Sequence, residues 1–377
     1  MKVHNRYLSN DIKEDLSRKM IFLYGPRQVG KTTLALSFLK KGIETHPAYF
    51  NWDYRADRKR ILAEEFPPHE KILIFDEIHK YSRWRNFIKG LYDKQKSKRR
   101  FLITGSGNLK HYKRGGDSLQ GRYYSYRLHP FSLRELNSRP TKGDLDTLLK
   151  LNGFPEPLLS GSQKILNKWR NERLSQLIKE DIRDLERIRE LDIMEILMDS
   201  LPQRVGSPLS IKSLKEDLEI SHETVERWIC ILESLFVCFR ILPFGSEKIR
   251  AVKKEKKLYL YDWSSIDSSG IRFENLVACQ LLKYCHFIED TEGERMELRF
   301  LRDTDKREVD FVVLKNKLPV FAVECKSGTS ISPHIAYFQK RTKIPQFYQV
   351  HLKQKNCETK GIRILPFETF CKELSMP

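Results

Sequence analysis

The sequence predicts an α/β fold with more than one core, and three stretches carry that prediction. An apolar run from Ile21 to Leu23 leads through a glycine-flanked loop, Gly25 to Thr32, into a helix-forming segment. A second apolar strand, KILIF from Lys71, ends in Asp76 and Glu77. Near the far end, two short strands carry Asp310 and the triplet Glu324-Cys325-Lys326. Alternation of apolar strands with helical stretches makes sheets covered by helices, and 377 residues are enough for two or three cores.

The first stretch has the spacing Gly-x-x-x-x-Gly-Lys-Thr of a phosphate-binding loop. Gly25 and Gly30 let the backbone of Pro26-Arg27-Gln28-Val29 curl between them, so that successive N–H groups, absent only at Pro26, can turn inward on a phosphate. Lys31 brings positive charge to the β- and γ-phosphates, the Thr32 hydroxyl is placed to ligate Mg²⁺, and Thr33 continues into the helix. In the second stretch Asp76 is expected to hold Mg²⁺ through water, and Glu77 to orient or deprotonate the attacking water. A strand that merely ends in surface carboxylates is the plainer alternative. Together the two motifs, in this order, predict binding of ATP with Mg²⁺.

Composition narrows the class. Hydrophobic content of 40% and charged content of 32% describe a charge-rich globular protein. No apolar run approaches the roughly 18 residues that cross a bilayer, so no membrane is expected and a cytoplasmic protein is. The seven cysteines form no Cys-x-x-Cys pair and the ten histidines no ligand-spaced cluster, which leaves ordinary buried thiols rather than disulfides or structural zinc. A net charge of +19 predicts a polyanionic partner, most often nucleic acid.

Along the chain, residues 1 to 19 read as a short helix and lead-in. A strand over Ala48 to Trp52 closes with Asp53, and the helix after Glu77 carries Trp84, Phe87, Ile88 and Leu91 on a core face. The strand Arg100 to Thr104 ends in TGSGN, placing Thr104 and Ser106 at the carboxyl edge of the sheet, where a polar side chain can sense a γ-phosphate; a plain strand-ending turn is the other reading. Arg122, after Gly121, opens an alternating strand. It either reaches a γ-phosphate in this subunit or in a neighbour of a homo-oligomer, or is a solvated strand-start charge.

GPRQVGKTT, the strand ending in Asp76-Glu77, the TGS turn, Gly121-Arg122 and the following PFSLREL together resemble a large prokaryotic family of AAA-superfamily ATPases with a C-terminal region of unknown function. The similarity continues through NGFPEPLL, LIKEDIRDL and a terminal segment with VDF and ECK. The resemblance implies an ATP-binding αβα domain over 1–150, a helical connector over 151–208, a winged-helix unit over 209–268, and over 269–377 a fold like that of restriction-endonuclease-type nucleases. One departure is Asn152, where the family more often carries Gly.

The residues beyond the connector support that division. A helix over Ile211 to Leu218, a turn at Ile220-Ser221-His222 and a second helix with Val225, Trp228, Ile229 and Leu232 as its buried stripe read as helix-turn-helix, and the strand from Phe236 begins a wing. Lys248, Arg250, Lys253, Lys254, Lys256 and Lys257 make the hairpin tip basic, suited to DNA phosphates, whereas Glu223 and Glu226 on the second helix speak against base readout. In the last region Asp310 and Glu324 sit on adjacent strands, Glu324 and Lys326 project from one face, and Glu274 on the preceding helix can complete the group. This looks like the Asp…Glu-x-Lys arrangement of the restriction-endonuclease-like superfamily, which implies a second divalent cation, Mg²⁺ or Mn²⁺, on Asp310, Glu324 and Glu274, with Lys326 assisting phosphodiester cleavage. The alternative is an inherited fold whose carboxylates and lysine pair with one another. The chain is therefore expected to be an ATPase that engages nucleic acid, with or without cleavage by its last domain, or else a nucleotide-controlled protein- or DNA-binding scaffold.

Overall fold

The computed structural model describes residues 5–107, 119–182, 191–245 and 255–377. The chain divides into two compact units, one of Met1–Pro130 with Ser234–Phe236, the other of Phe131–Glu233 with Val237–Pro377. Among the described residues no helix is long and apolar enough to cross a membrane.

The first unit is built on a parallel sheet of β1 (Met20–Gly25), β2 (Tyr49–Asn51), β3 (Ile72–Asp76), β4 (Arg100–Ser106) and β5 (Tyr123–Arg127), in the order β2-β3-β4-β1-β5. Every residue of β1 is buried, as a strand covered on both faces requires. Each fully buried Ile, Leu or Phe there contributes roughly 1.5–3 kcal/mol by leaving water. Because β4 lies between β1 and β3, its register with both is fixed: Tyr24 stands opposite Gly105 on one side and Asp76 opposite Thr104 on the other. The phosphate-loop strand, the carboxylate strand and the TGS turn thus end at the same edge.

The second unit carries an eight-stranded sheet of β6 (Cys238–Pro243), β7 (Lys257–Leu260), β8 (Met296–Arg302), β9 (Glu308–Lys315), β10 (Leu318–Lys326), β11 (Gln346–His351), β12 (Cys357–Thr359) and β13 (Ile362–Pro366). A long helix, Ser269–Glu292, precedes three antiparallel strands, β8 to β10; a short helix, Pro333–Gln339, then leads to β11, parallel to β10. Val309, Val312 and Leu314 of β9, Ala322 of β10 and Ile335 and Phe338 of the short helix form one apolar cluster. The hairpin β6–β7 joins the same sheet, because Leu242 and Pro243 pair with Arg299 and Phe300 of β8.

The predicted helix pair is present as Ile211–Leu218 and His222–Ser234. Ser221 caps the second helix by accepting a hydrogen bond from Thr224 N at 3.1 Å, and Val225, Trp228, Ile229 and Leu232 are buried. Glu226, expected to face outward, instead accepts from Arg240 of β6 at 2.8 and 2.9 Å. Arg240 also pairs with Glu233 through Nε and Nη2, both at 2.8 Å, so its buried guanidinium is satisfied by two carboxylates of one helix. This tie locks the helix to the sheet through its acidic side. The segment Phe131 to Leu136 packs in the second unit, where the buried Lys283 is paired with Glu135.

Asn152 explains its own departure from glycine. Its backbone lies at φ +60 and ψ −171, a region open essentially to glycine and worth about 1–3 kcal/mol of strain for other residues. The fully buried side chain offsets this by donating to Asp262 Oδ1 at 2.9 Å and accepting from Phe154 N at 2.8 Å. Asn152→Ala keeps the strain and loses both bonds, whereas Asn152→Gly loses the bonds but relieves the strain. Thermal melting is expected to rank wild type above the glycine variant and the glycine variant above alanine, the last two separated by about 1 kcal/mol.

Candidate functional site

Residues 25 to 33 leave β1 at its buried carboxyl end and curl into the helix Lys31–Leu36. Gly25 sits at φ +149 with the Leu128 carbonyl so close that a Cβ would lie 2.3 Å from its oxygen, so only glycine fits. Gly30 takes φ +93 at the helix entry. Lys31 is buried and its ammonium donates to the carbonyls of Gly25, at 3.1 Å, and Pro26, at 2.7 Å. The loop's one fixed cation is thus held at the loop's own mouth. On the loop's other side Arg6 donates to the carbonyl of Val29 at 2.7 Å.

Asp76 is the centre of the site. Its Oδ2 accepts from Thr32 Oγ1 and from Tyr49 Oη, both at 2.8 Å, and its Oδ1 accepts from Thr104 Oγ1. Three hydroxyls from three different elements therefore converge on one carboxylate that is only 5% exposed. Burial and the Asp76 charge push the Tyr49 phenol up, which keeps it a donor. Glu77 adopts the left-handed conformation at φ +54, and its carboxylate accepts from Ser106 N at 3.1 Å and Ser106 Oγ at 3.4 Å. Beside it lies His79, 3.6 Å away, whose burial lowers its pKa. Thr104 and Ser106, singled out as γ-phosphate sensors, each hold one of the two strand-end carboxylates.

Arg122 does not join them. It precedes β5 beside Met20, which pairs with Tyr123, at the edge of the sheet opposite the loop. Five residues of strand separate the two edges, about 17 Å. Its guanidinium forms a two-pronged pair with Asp93, at 2.8 and 3.0 Å. Within one chain it cannot reach a phosphate on Lys31, because parallel pairing fixes its end of the strand.

The second unit gathers the other predicted group. Lys326 lies 2.9 Å from Glu324 Oε1, and Asp310 accepts from Cys325 N at 2.8 Å. Glu274 accepts from Tyr259 Oη at 2.8 Å. A further side chain, absent from the predicted set, enters: Lys257 is fully buried, paired with Glu308, 3.5 Å from Glu274 and 3.8 Å from Asp310. Glu308 is also held by Arg302 at 3.0 Å. Burial opposes the charge on Lys257, but Glu274, Asp310 and Glu308 outweigh it and hold the ammonium protonated. Burial, reinforced by the Asp310 charge, pushes Glu274 up to about 8 and Glu324 up to about 7.

Two expectations do not hold. Lys257, expected on a basic hairpin tip, instead begins β7 and turns its side chain inward. Lys256 pairs with Glu226 at 3.6 Å, and Lys248, Arg250, Lys253 and Lys254 lie outside the described residues. The second divalent cation does not fit either. Among the described residues no three His, Cys, Asp or Glu side chains are grouped as metal ligands, and the Lys257 ammonium stands beside two of the carboxylates expected to hold the ion, Glu274 and Asp310.

Sequence reasoning missed Tyr49 and Lys257. A tyrosine in a short strand reads as core, and a lysine in a run of lysines reads as surface. The pairing of β2 with β3 brings Tyr49 to Asp76, and side-chain contacts with the long helix and β9 give Lys257 its partners.

Comparison with known proteins agrees with the first unit. Residues 17–137 match the family model of an AAA domain, residues 142–266 one described as a domain of unknown function (DUF8612), and residues 269–370 another (DUF4143). The N-terminal part of the chain is thus similar to AAA domains. An uncharacterized protein of Methanocaldococcus jannaschii is 24% identical over 397 residues, covering 90% of this chain and 81% of its own. One of Mycobacterium tuberculosis is 22% identical over 265 residues, and there the match takes in 70% of this chain but 58% of the relative. Among solved structures, the Thermotoga maritima RuvB Holliday junction branch migration motor matches with 16% identity and a TM-score of 0.31, over 62% of this chain and 87% of RuvB. Aeropyrum pernix ORC1 in complex with DNA gives 12% identity and 0.34, over 73% and 94%. Scores this low carry no argument about partners.

Tyr49→Phe removes one of three donors to Asp76 and no apolar area. It is expected to leave the melting temperature within a few degrees and to raise the Mg²⁺ concentration that half-saturates nucleotide-dependent activity several-fold, as loss of a hydrogen bond to a charged group predicts.

Proposed function

We propose that the N-terminal unit is a Mg²⁺-dependent ATPase and that its nucleotide state controls how the chain engages nucleic acid, chiefly through DNA phosphates. The observation that carries the ATPase is the convergence of Thr32, Tyr49 and Thr104 on Asp76 beside the phosphate loop. Thr32 and Asp76 would hold the cation, which supplies charge neutralisation to the phosphates. Lys31 exchanges the carbonyls of Gly25 and Pro26 for phosphate oxygens. The loop from Gly25 to Thr33 presents its N–H groups to the phosphates. Glu77, set at a fixed angle by its left-handed backbone, takes the proton of the attacking water, and Ser106 holds or releases that carboxylate according to what fills the site.

Nucleic acid as the partner rests on the charge of +19 and on the helix pair followed by a lysine-rich stretch. With Arg122 fixed by Asp93 far from its own loop, any role for it in hydrolysis is across a subunit interface of a homo-oligomer.

A second reading, of a nucleotide-controlled scaffold with a silent nuclease-like domain, is favoured for the C-terminal region by the Lys257 ammonium among Glu274, Glu308 and Asp310. On this reading Asp310, Glu324 and Lys326 keep the arrangement of a cleaving site and not its cation.

Glu77→Gln is expected to bind ATP like wild type and to hydrolyse it at least about 100-fold more slowly, whereas Lys31→Ala loses both; normal turnover by Glu77→Gln would remove the assigned base. DNA affinity should fall steeply as salt is raised, and a flat dependence would show that the charge serves another purpose. Incubation of linear, circular and single-stranded DNA with Mg²⁺ or Mn²⁺, with and without ATP, should give no cleavage; cleavage lost in Asp310→Ala would restore the nuclease.

A further inference from the structure

We propose that Lys257 is the resident cation of the C-terminal carboxylate cluster, built in where a nuclease of this arrangement would hold a divalent metal. The proposal rests on the second reading above, and deepens it by naming what silences the site.

Three features of the geometry point to it. First, the ammonium lies beside two of the three carboxylates expected to hold the metal, 3.5 Å from Glu274 and 3.8 Å from Asp310, and is also paired with Glu308. A divalent ion needs oxygens drawn in to about 2.0–2.6 Å, and it cannot gather these same oxygens while the ammonium stands among them. Second, the charges nearly balance: four carboxylates, Glu274, Glu308, Asp310 and Glu324, meet three cations, Lys257, Arg302 and Lys326. Third, Lys257 has nowhere to swing. Its backbone pairs with Ile241 of β6 on one side and with Pro208 on the other, and its side chain is fully buried. Gly206, at φ +75, brings the chain so close over Glu274 that a Cβ there would lie 3.2 Å from the carboxylate. The lysine is enclosed, not resting on a surface.

The ligand-free protein tests this directly, with Mn²⁺ as the probe and no nucleotide present, so that failure of the ATPase assignment would leave the result untouched. Titration calorimetry of wild type beside Asp310→Asn is expected to show the same Mn²⁺ binding in both. Removing the ammonium while keeping the carboxylates, in Lys257→Gln, should create a site: Mn²⁺ raises the melting temperature of that variant by several degrees, and Asp310→Asn in the same background abolishes the rise. Mn²⁺ binding by wild type that Asp310→Asn removes would overturn the proposal, and so would a folded Lys257→Gln protein that gains no Asp310-dependent binding. Should Lys257→Gln fold poorly, the wild-type comparison decides alone.

Discussion

A carboxylate buried in a sheet must be answered, by donors or by a cation, and the two units of this chain answer it differently. Asp76 is met by three hydroxyls, from Thr32, Tyr49 and Thr104. Hydroxyl donors are neutral and their O–H bonds can rotate, so such donors can give way to another ligand. Asp310 is met by a backbone N–H and by the ammonium of Lys257, which it shares with Glu274 and Glu308. The same residue type thus meets neutral donors in one sheet and a fixed cation in the other. What separates them is the chemistry of the neighbours.

Strand order is what delivers those neighbours. With β4 between β1 and β3, Thr104 lands beside Asp76 and Ser106 reaches Glu77, so the carboxyl end of β4 holds both carboxylates. A hairpin cannot produce this arrangement, since all four pairings in the sheet are parallel and each crossover spends a helix or a long loop. In the second unit β7 is the outermost strand, beyond β6 and β8, and it is the buried side chain of Lys257 that reaches Glu308 and Asp310 of β9.

How much of this was legible depends on range along the chain. The phosphate loop, the Asp76-Glu77 strand end and the helix pair around Ser221 are local patterns, and each stands where the sequence put it. Glu324 and Lys326 are two residues apart, so strand periodicity alone puts them on one face and their ion pair bears this out. Tyr49 and Lys257 were invisible because their meaning lies in a partner strand 27 or 53 residues away, at Asp76 or Asp310. The place of Arg122 is hidden in the same way: glycine followed by arginine at a strand start says nothing about which edge of the sheet that start occupies.

The positive charge needs the same discrimination. Arg240, Lys257 and Lys283 are each buried against carboxylates, and Lys256 leans on Glu226. The three buried cations hold the second unit together and are not available to a polyanion. Counterion release scales with the cations that reach phosphates, not with the formal charge, so the salt slope of DNA binding should fall well below what the lysine-rich stretch suggests by count. The helix His222–Ser234 is constrained likewise, since the acidic side that Arg240 clamps is the side on which Glu226 and Glu233 lie.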